Sequence, residues 1–163
     1  WTRFTGENPY LTLSVGVSLA RPMSPVGFAA GAAEQALEKA KRSTDHATPK
    51  NRLCAFDHVM KWSEVDAVFQ EIKTLSTWLE SKKISVSFVR SLLYFAFLAD
   101  QYRRDKRVEG LRYLPLLSYT LSRNYKNDVA LCQWCEKYKE AGGEAIRHLR
   151  FIATYVLNLN RGS

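Results

Sequence analysis

The fold is decided by residues 11–57, which read LTLSVGVSLARPMSPVGFAAGAAEQALEKAKRSTDHATPKNRLCAFD. From Leu11 to Leu19 apolar residues alternate with small or polar ones, and this period of two predicts a β-strand. Gly16 lies in the middle of that strand, where a glycine marks either a bulge or the close approach of another backbone. A second strand is predicted from Asn51 to Phe56. The stretch between them is long enough for a right-handed crossover, so a βαβ unit is expected.

The crossover is predicted to be a helix that starts after Ser24. A serine followed by proline favours an N-cap with Pro25 at the first helical position. The helix should end near Lys41 or Ser43, where basic residues suit the negative end of the helix dipole. Its inward stripe follows spacings of three and four and consists of Phe28, Ala32, Ala36, Leu37 and Ala40.

From Trp62 onward the apolar period becomes 3.6, which indicates helices and no sheet. Ser63 and Asp66 resemble a capping box at the first of these helices. The segment from Leu92 to Ala99 is apolar all round, as expected for a helix in the middle of a bundle. Five helices are predicted, at about 62–83, 86–104, 113–125, 128–139 and 144–159. The sequence thus predicts an α+β chain, with a βαβ part in residues 1–60 and a five-helix domain in residues 61–163.

Composition favours a globular protein with an anionic partner. The 163 residues are 46% hydrophobic and 25% charged, which argues against disorder. Lys and Arg total 24 against 16 acidic residues, a net charge of +8 that favours nucleic acid, nucleotides or an acidic protein surface. Because a lone βαβ unit lacks sheet partners and the chain opens on Trp1, a fragment with the rest of its sheet upstream is expected.

The three cysteines predict reduced thiols in a cytoplasmic protein rather than a disulfide framework. Cys132 and Cys135 have the C-x-x-C spacing, but structural zinc needs two further ligands, so buried helical thiols are the preferred interpretation. No apolar run reaches the ~18 residues of a membrane span, and no signal peptide is recognised. No membrane partner is therefore predicted.

No motif of a free-standing catalyst appears: there is no Ser-His-Asp order, Gly-rich phosphate loop or carboxylate pair. Basic residues are the better candidates. One group surrounds the end of the first helix and the start of the second strand, where lysines can converge on a phosphate as point charges. Others, mixed with Tyr102, Tyr113 and Tyr125, would suit an RNA backbone or equally a solvated helix face. These groups are Lys39, Lys41, Arg42, Lys50 and Arg52; Arg103, Arg104, Lys106 and Arg107; and the scattered Arg123, Lys126, Arg147 and Arg150.

The order of motifs resembles a known family. Residues 13–17 (LSVGV), a helix ending in 36–41 (ALEKAK) and the turn 50–52 (KNR) look like the closing part of a nucleotide-cyclase palm. The tail of helices, with LLSYTLSRN at residues 116–124, narrows this to the large palm-containing subunit of type III-A (Csm) CRISPR effector complexes. The resemblance implies the C-terminal βαβ part of a ferredoxin-like palm, the second palm of that subunit, followed by its C-terminal helical domain.

The resemblance also implies an activity, cofactors and partners. The family's palms convert ATP into cyclic oligoadenylate, with Mg or Mn ions on a Gly-Gly-Asp-Asp hairpin, and many members add an HD nuclease for single-stranded DNA. Neither motif occurs in this chain, so the metal would be bound upstream and this part alone would be inactive. Implied partners are the remaining part of the large subunit, the small helical subunit and other effector subunits, with guide RNA and target RNA nearby.

By position within the family pattern, four residues are candidates for contact with ATP: Lys41, Lys50, Asn51 and Ser14. Catalytic residues and metal ligands are not predicted. Two alternatives remain open. The chain could be a non-catalytic helical module for RNA or protein, or the tail of a diguanylate-type cyclase, although the extra ~100 helical residues disfavour the latter.

Overall fold

The computed structural model describes residues 6, 8, 10–42, 50–140 and 143–160. The chain divides into two compact units, residues 1–67 and 68–163. The first unit contains three strands and a helix: β1 (Val15–Val17), α1 (Val26–Lys41), β2 (Arg52–Ala55) and β3 (His58–Lys61). Then follow α2 (Trp62–Glu80), α3 (Val86–Asp105), a 3₁₀ helix (Val108–Arg112), α4 (Tyr113–Asn124), α5 (Val129–Glu136) and α6 (Glu144–Leu159). The α+β class is confirmed.

The sheet is mixed, in the order β1-β2-β3. β1 and β2 are parallel, with Gly16 opposite Cys54, and α1 connects them as the crossover. The expectation of a close approach at Gly16 is confirmed. A Cβ at this position would lie 2.2 Å from the backbone nitrogen of Leu37 and 2.5 Å from the Ala33 carbonyl oxygen. Glycine is needed because the backbone of α1 lies directly on β1.

β3 was not predicted, and its turn explains why. β2 and β3 pair antiparallel and are joined by Phe56 and Asp57, whose φ angles are 51° and 63°. Two consecutive left-handed residues form the tight hairpin turn that matches the strand twist, a turn that usually contains Asn or Gly. Phe56 gives no such sequence signal. The predicted βαβ unit therefore carries a third strand, which follows the second one directly.

Other local predictions also need correction. β1 is three residues long rather than nine, and the N-cap of α1 is Pro25, without a side-chain cap, rather than Ser24. Phe28 was expected inside but is 77% exposed. Ser63 lies within α2, and the side chain that reaches back is Glu64, which accepts a hydrogen bond from the Lys61 amide at 2.7 Å.

In the helical unit α3 packs against α6, α4 and the 3₁₀ helix, and its place as the central helix is confirmed. The expectation that Leu92–Ala99 is buried all round holds only in part. Leu92 is fully buried, whereas Tyr94 and Phe97 are about half exposed. Gly110 lets the 3₁₀ helix touch α3, since a Cβ there would lie 2.6 Å from the Leu98 carbonyl oxygen. No helix in the described part of the chain is both long and apolar enough to cross a membrane.

Candidate functional site

Two of the four predicted ATP contacts meet at the point where the parallel strands begin. The backbone amide of Asn51 donates a hydrogen bond to Ser14 Oγ at 3.2 Å, and the backbone nitrogen of Leu13 lies 3.5 Å from the side-chain oxygen Asn51 Oδ1. Asn51 has a φ of 67°, a left-handed conformation that asparagine tolerates better than most residues. These two hydrogen bonds join the start of β1 to the start of β2, and they explain the serine at 14 and the asparagine at 51. The Ser14 hydroxyl only accepts here, so its own proton remains available for a further acceptor.

Trp62 closes the same end of the sheet. Its Nε1 donates to the Leu13 carbonyl oxygen at 2.7 Å, directly before the link between Ser14 and Asn51. Lys61, the last residue of β3, pairs with Arg52 at the start of β2, so this end of β3 meets the strand starts. The start of α2 and the starts of β1 and β2 are thereby tied together.

Lys41 belongs to this end of the sheet by the direction of α1. Ser18 Oγ donates to the Ala29 carbonyl oxygen at 2.9 Å, while Gly16 abuts Ala33 and Leu37 farther along the helix. α1 therefore runs antiparallel to β1, and its C-terminus points toward the strand starts. Lys41 Nζ lies 3.4 Å from Glu38 Oε1, which is its own helix neighbour, and the side chain is exposed.

Lys50 is exposed beside Asn51 and directly follows residues 43–49, which lie outside the described residues. The predicted site thus consists of one hydrogen-bonded pair, Ser14 and Asn51, with two exposed lysines assigned to the same end of the sheet by chain direction. Such lysines can supply positive charge to a phosphate, and Ser14 can donate one hydrogen bond.

Lys39, in the same helical turn as Lys41, has a different role. Its Nζ lies 2.5 Å from Asp57 Oδ1 in the β2–β3 turn. The hydrogen bond and the charge of Asp57 raise the pKa of Lys39. This ion pair fastens α1 to the hairpin, so Lys39 is a structural residue rather than a ligand contact.

The described residues offer no metal centre of their own, since they contain no group of three or more His, Cys, Asp or Glu placed to hold an ion. Cys135 is buried, and burial raises its pKa to about 12. Cys132 Sγ donates to the Tyr125 carbonyl oxygen at 3.6 Å. These thiols belong to the packing of α5.

In the described part of residues 68–163, seven of the fifteen Lys and Arg side chains pair with acids. Arg147 lies 3.3 Å from Glu144, Arg150 lies 3.8 Å from Asp100, and Lys137 is paired with Glu71. Tyr113, proposed as an RNA contact, is fully buried and donates its hydroxyl to the Glu140 carbonyl oxygen at 2.8 Å. It cannot stack on a base, so that prediction is wrong.

Two of the unpaired cations, Arg123 and Lys126, line a cleft within residues 68–163. This cleft of about 640 Å³ separates the α2–α3 turn from the α4–α5 turn, and we call it the basic cleft. Among the residues that line it, Lys83 pairs with Asp128 at 3.1 Å, whereas Arg123 and Lys126 pair with no carboxylate in the part of the chain that the structure describes. The lining residues used below are Lys83, Arg123, Asn124, Tyr125, Lys126 and Asp128.

A smaller cleft of about 330 Å³ adjoins the basic cleft and shares Asn124 and Tyr125 with it. We call it the hydroxyl cleft, because hydroxyl side chains dominate its lining. These side chains are Ser85, Ser87, Ser91 and Thr120. Sequence reasoning named Arg123, Tyr125 and Lys126 but not this arrangement, which two helix–helix turns far apart in the sequence create together.

No protein-family model matches the chain, and comparison with curated proteins and with solved structures likewise finds no match.

Proposed function

We propose that the chain is the C-terminal part of the large subunit of a type III-A CRISPR effector complex. In this proposal residues 1–60 complete the second palm, which converts ATP to cyclic oligoadenylate, and residues 61–163 are a docking helical domain. The observation that supports it best is the Gly16 contact, which lays α1 directly on a parallel β1–β2 pair. A palm needs such a βαβ layer to close one side of its nucleotide pocket.

The residues of this chain would serve the substrate and not the metal. Lys41 and Lys50 would neutralise phosphate charge, and the Ser14 hydroxyl would donate to a phosphate or ribose oxygen. Asn51 would act indirectly, because its backbone amide positions the Ser14 hydroxyl. The Mg or Mn ions and their carboxylates would come from the remaining part of the large subunit.

The exposed apolar side chains of residues 1–67 also support a larger assembly. Met23, Val26 and Phe28 are between 77% and 102% exposed at the start of α1. A contiguous apolar surface in a soluble domain is usually covered by another layer of protein. The upstream palm is the layer that the proposal supplies.

The test uses the parent subunit in its assembled complex with Lys41→Ala. Loss of a charged hydrogen bond to a phosphate costs about 1.5–3 kcal/mol, so synthesis of cyclic oligoadenylate should fall about tenfold or more with assembly intact. Lys39→Ala is the matched control, because it removes the same charge from the same helical turn but breaks only the Asp57 pair. Equal ATP affinity and turnover in the Lys41 variant and the parent would remove Lys41 from the site.

A further inference from the structure

The basic cleft and the hydroxyl cleft adjoin within residues 68–163, so an inference drawn from them does not depend on the cyclase proposal. We propose that the two clefts together bind a segment of single-stranded RNA, with phosphates in the basic cleft and ribose hydroxyls in the hydroxyl cleft. Their volumes are about 640 and 330 Å³, and the larger of the two is broadly open to solvent.

The basic cleft carries more positive than negative charge. Asp128 is the acid that lines it, and its Oδ1 both accepts from the Leu131 amide and pairs with Lys83 Nζ. Burial acts to raise the pKa of Asp128, but the hydrogen bond from the Leu131 amide and the ion pair with Lys83 outweigh burial and lower it. Asp128 therefore neutralises Lys83, and Arg123 with Lys126 leaves the cleft with a surplus of positive charge.

Arg123 is held in place by Tyr119, its neighbour one turn earlier on α4. Its Nη1 donates to the Tyr119 hydroxyl at 2.7 Å, and its guanidinium lies 5.8 Å from the centroid of that ring. Tyr119 is 57% exposed and Arg123, which lines the cleft, is exposed as well, so both side chains are accessible from solvent. Stacking of bases on such planar side chains is the usual device of single-strand binding and tolerates any base.

Aromatic contacts hold two lining residues of the basic cleft, Tyr125 and Lys83, in position. Tyr125 packs its ring against Phe88 with centroids 4.8 Å apart, and Lys83 lies over the Trp78 ring at 4.6 Å. These contacts fix the two turns that form the walls, so the cleft is preorganised rather than assembled by the ligand. Preorganisation distinguishes this surface from loose basic side chains on an exposed helix.

The hydroxyl cleft favours RNA over DNA through its serine and threonine side chains. Ser85 Oγ accepts from the Phe88 amide and so keeps its O–H donor, whereas Thr120 Oγ1 donates to the Leu116 carbonyl oxygen and keeps its acceptor lone pairs. A row of such groups matches the ribose 2′-hydroxyl, which both donates and accepts, and this hydroxyl is what distinguishes RNA from DNA. The basic surplus alone would not make that distinction.

The experiment titrates the full chain with a fluorescent oligouridine of about ten nucleotides, within the usual site size of single-strand binders. The variant is Arg123→Ala with Lys126→Ala. We expect its affinity to fall at least tenfold and the slope of log K against log salt to shrink by about 1.4, or 0.7 for each lost phosphate contact. Thermal unfolding checks that the variant remains folded.

The matched control is Lys73→Ala with Arg112→Ala, which removes two exposed cations of the helical unit that do not line either cleft. It should change affinity less than about threefold, since neither side chain lines a cleft and salt weakens the interaction of exposed charges with a ligand bound elsewhere. An equal loss in both double variants would overturn the proposal, because binding would then follow net charge alone.

Two further probes separate the alternatives. The corresponding oligodeoxyuridine should bind several-fold more weakly, and equal affinity for DNA and RNA would overturn the assignment of the hydroxyl cleft. A polyglutamate peptide of similar length should not compete, and effective competition would point to an acidic protein as the occupant instead. Failure of the cyclase test leaves these outcomes unaffected, because they use residues of the helical unit alone.

Discussion

The two units differ in how completely they bury their apolar side chains. Every helix from α2 to α6 contributes fully or nearly fully buried residues to the helical unit. In the described part of residues 1–67 the buried set is small: Ala40, Leu53, Cys54, Ala55 and Met60. Large apolar side chains of that unit, such as Met23 and Phe28, face solvent instead. Residues 68–163 therefore bury the larger core, while they too expose large apolar side chains such as Tyr94 and Phe97.

The comparison predicts its largest effect in the helical core. Leu149 is fully buried on α6, the helix that packs on α3. Leu149→Ala should lower the free energy of unfolding by about 2–5 kcal/mol, from lost burial and the cavity left behind. Phe28→Ala removes a larger side chain from the exposed start of α1 and should change it by less than about 0.5 kcal/mol. Denaturant titration of both variants tests the contrast, and a similar cost for the two would break it.

The next effect belongs to the βαβ unit. Gly16→Ala places a methyl group against the backbone of α1, and overpacking of this kind costs about 1–3 kcal/mol. Gly31→Ala is the control, since a Cβ there meets nothing within 4 Å and alanine favours the helix by about 0.5–1 kcal/mol. Hydrogen exchange should show faster exchange of β1 and α1 amides in the first variant. Unchanged protection of those amides would contradict the close contact.

A smaller effect concerns the N-cap of α5. Asp128 Oδ1 accepts from the Leu131 amide at 3.0 Å, so Asp128→Ala should cost about 0.5–2 kcal/mol. Asp128→Asn preserves the cap and removes the charge. Because the pKa of Asp128 is lowered from 3.8, its charge stabilises the fold above that pH, and this contribution disappears as pH falls through the lowered value. The acid titration of stability should be flatter for the Asp128→Asn variant, and identical acid limbs would refute the contribution of the charge.

The smallest effect is expected at the ion pair of Lys39 and Asp57, whose side chains are 56% and 51% exposed. Lys39→Met should lower the melting temperature slightly at low salt and not at high salt, because solvent and ions screen exposed pairs. The raised pKa of Lys39 adds that this stabilisation is present below pH 10.5 and lost as pH rises through the raised value. Salt-independent destabilisation would show that packing of the methylene stem dominates.

The sequence predicted what local periodicity determines. The five helices after Trp62 lie close to their predicted bounds, because each has an apolar stripe of period 3.6. β3 was missed, because its turn uses Phe56 in a conformation that sequence usually announces with Asn or Gly. Phe28 was misplaced because a stripe defines a helix face but not how far the covering sheet extends.

The candidate site was predictable by residue type but not by contact. The bond between Ser14 and Asn51 depends on the register of two parallel strands 37 residues apart, which no local pattern specifies. The basic cleft depends likewise on Lys83 and Arg123, from turns about 40 residues apart, meeting across one surface. By contrast Gly16 was recognisable, because a glycine within an alternating strand usually marks a bulge or a closely approaching backbone.

Each unit contains a buried cysteine whose labelling rate can report how often that unit opens. Cys54 in β2 and Cys135 in α5 are both 0% exposed, and burial raises the pKa of each thiol. A thiol-specific reagent reacts with such a side chain only during transient opening, so its labelling rate reports the free energy of that opening. The partly exposed Cys132 should react first. Mass spectrometry of a labelling time course can then rank the breathing motions of sheet and helices in one unmodified chain.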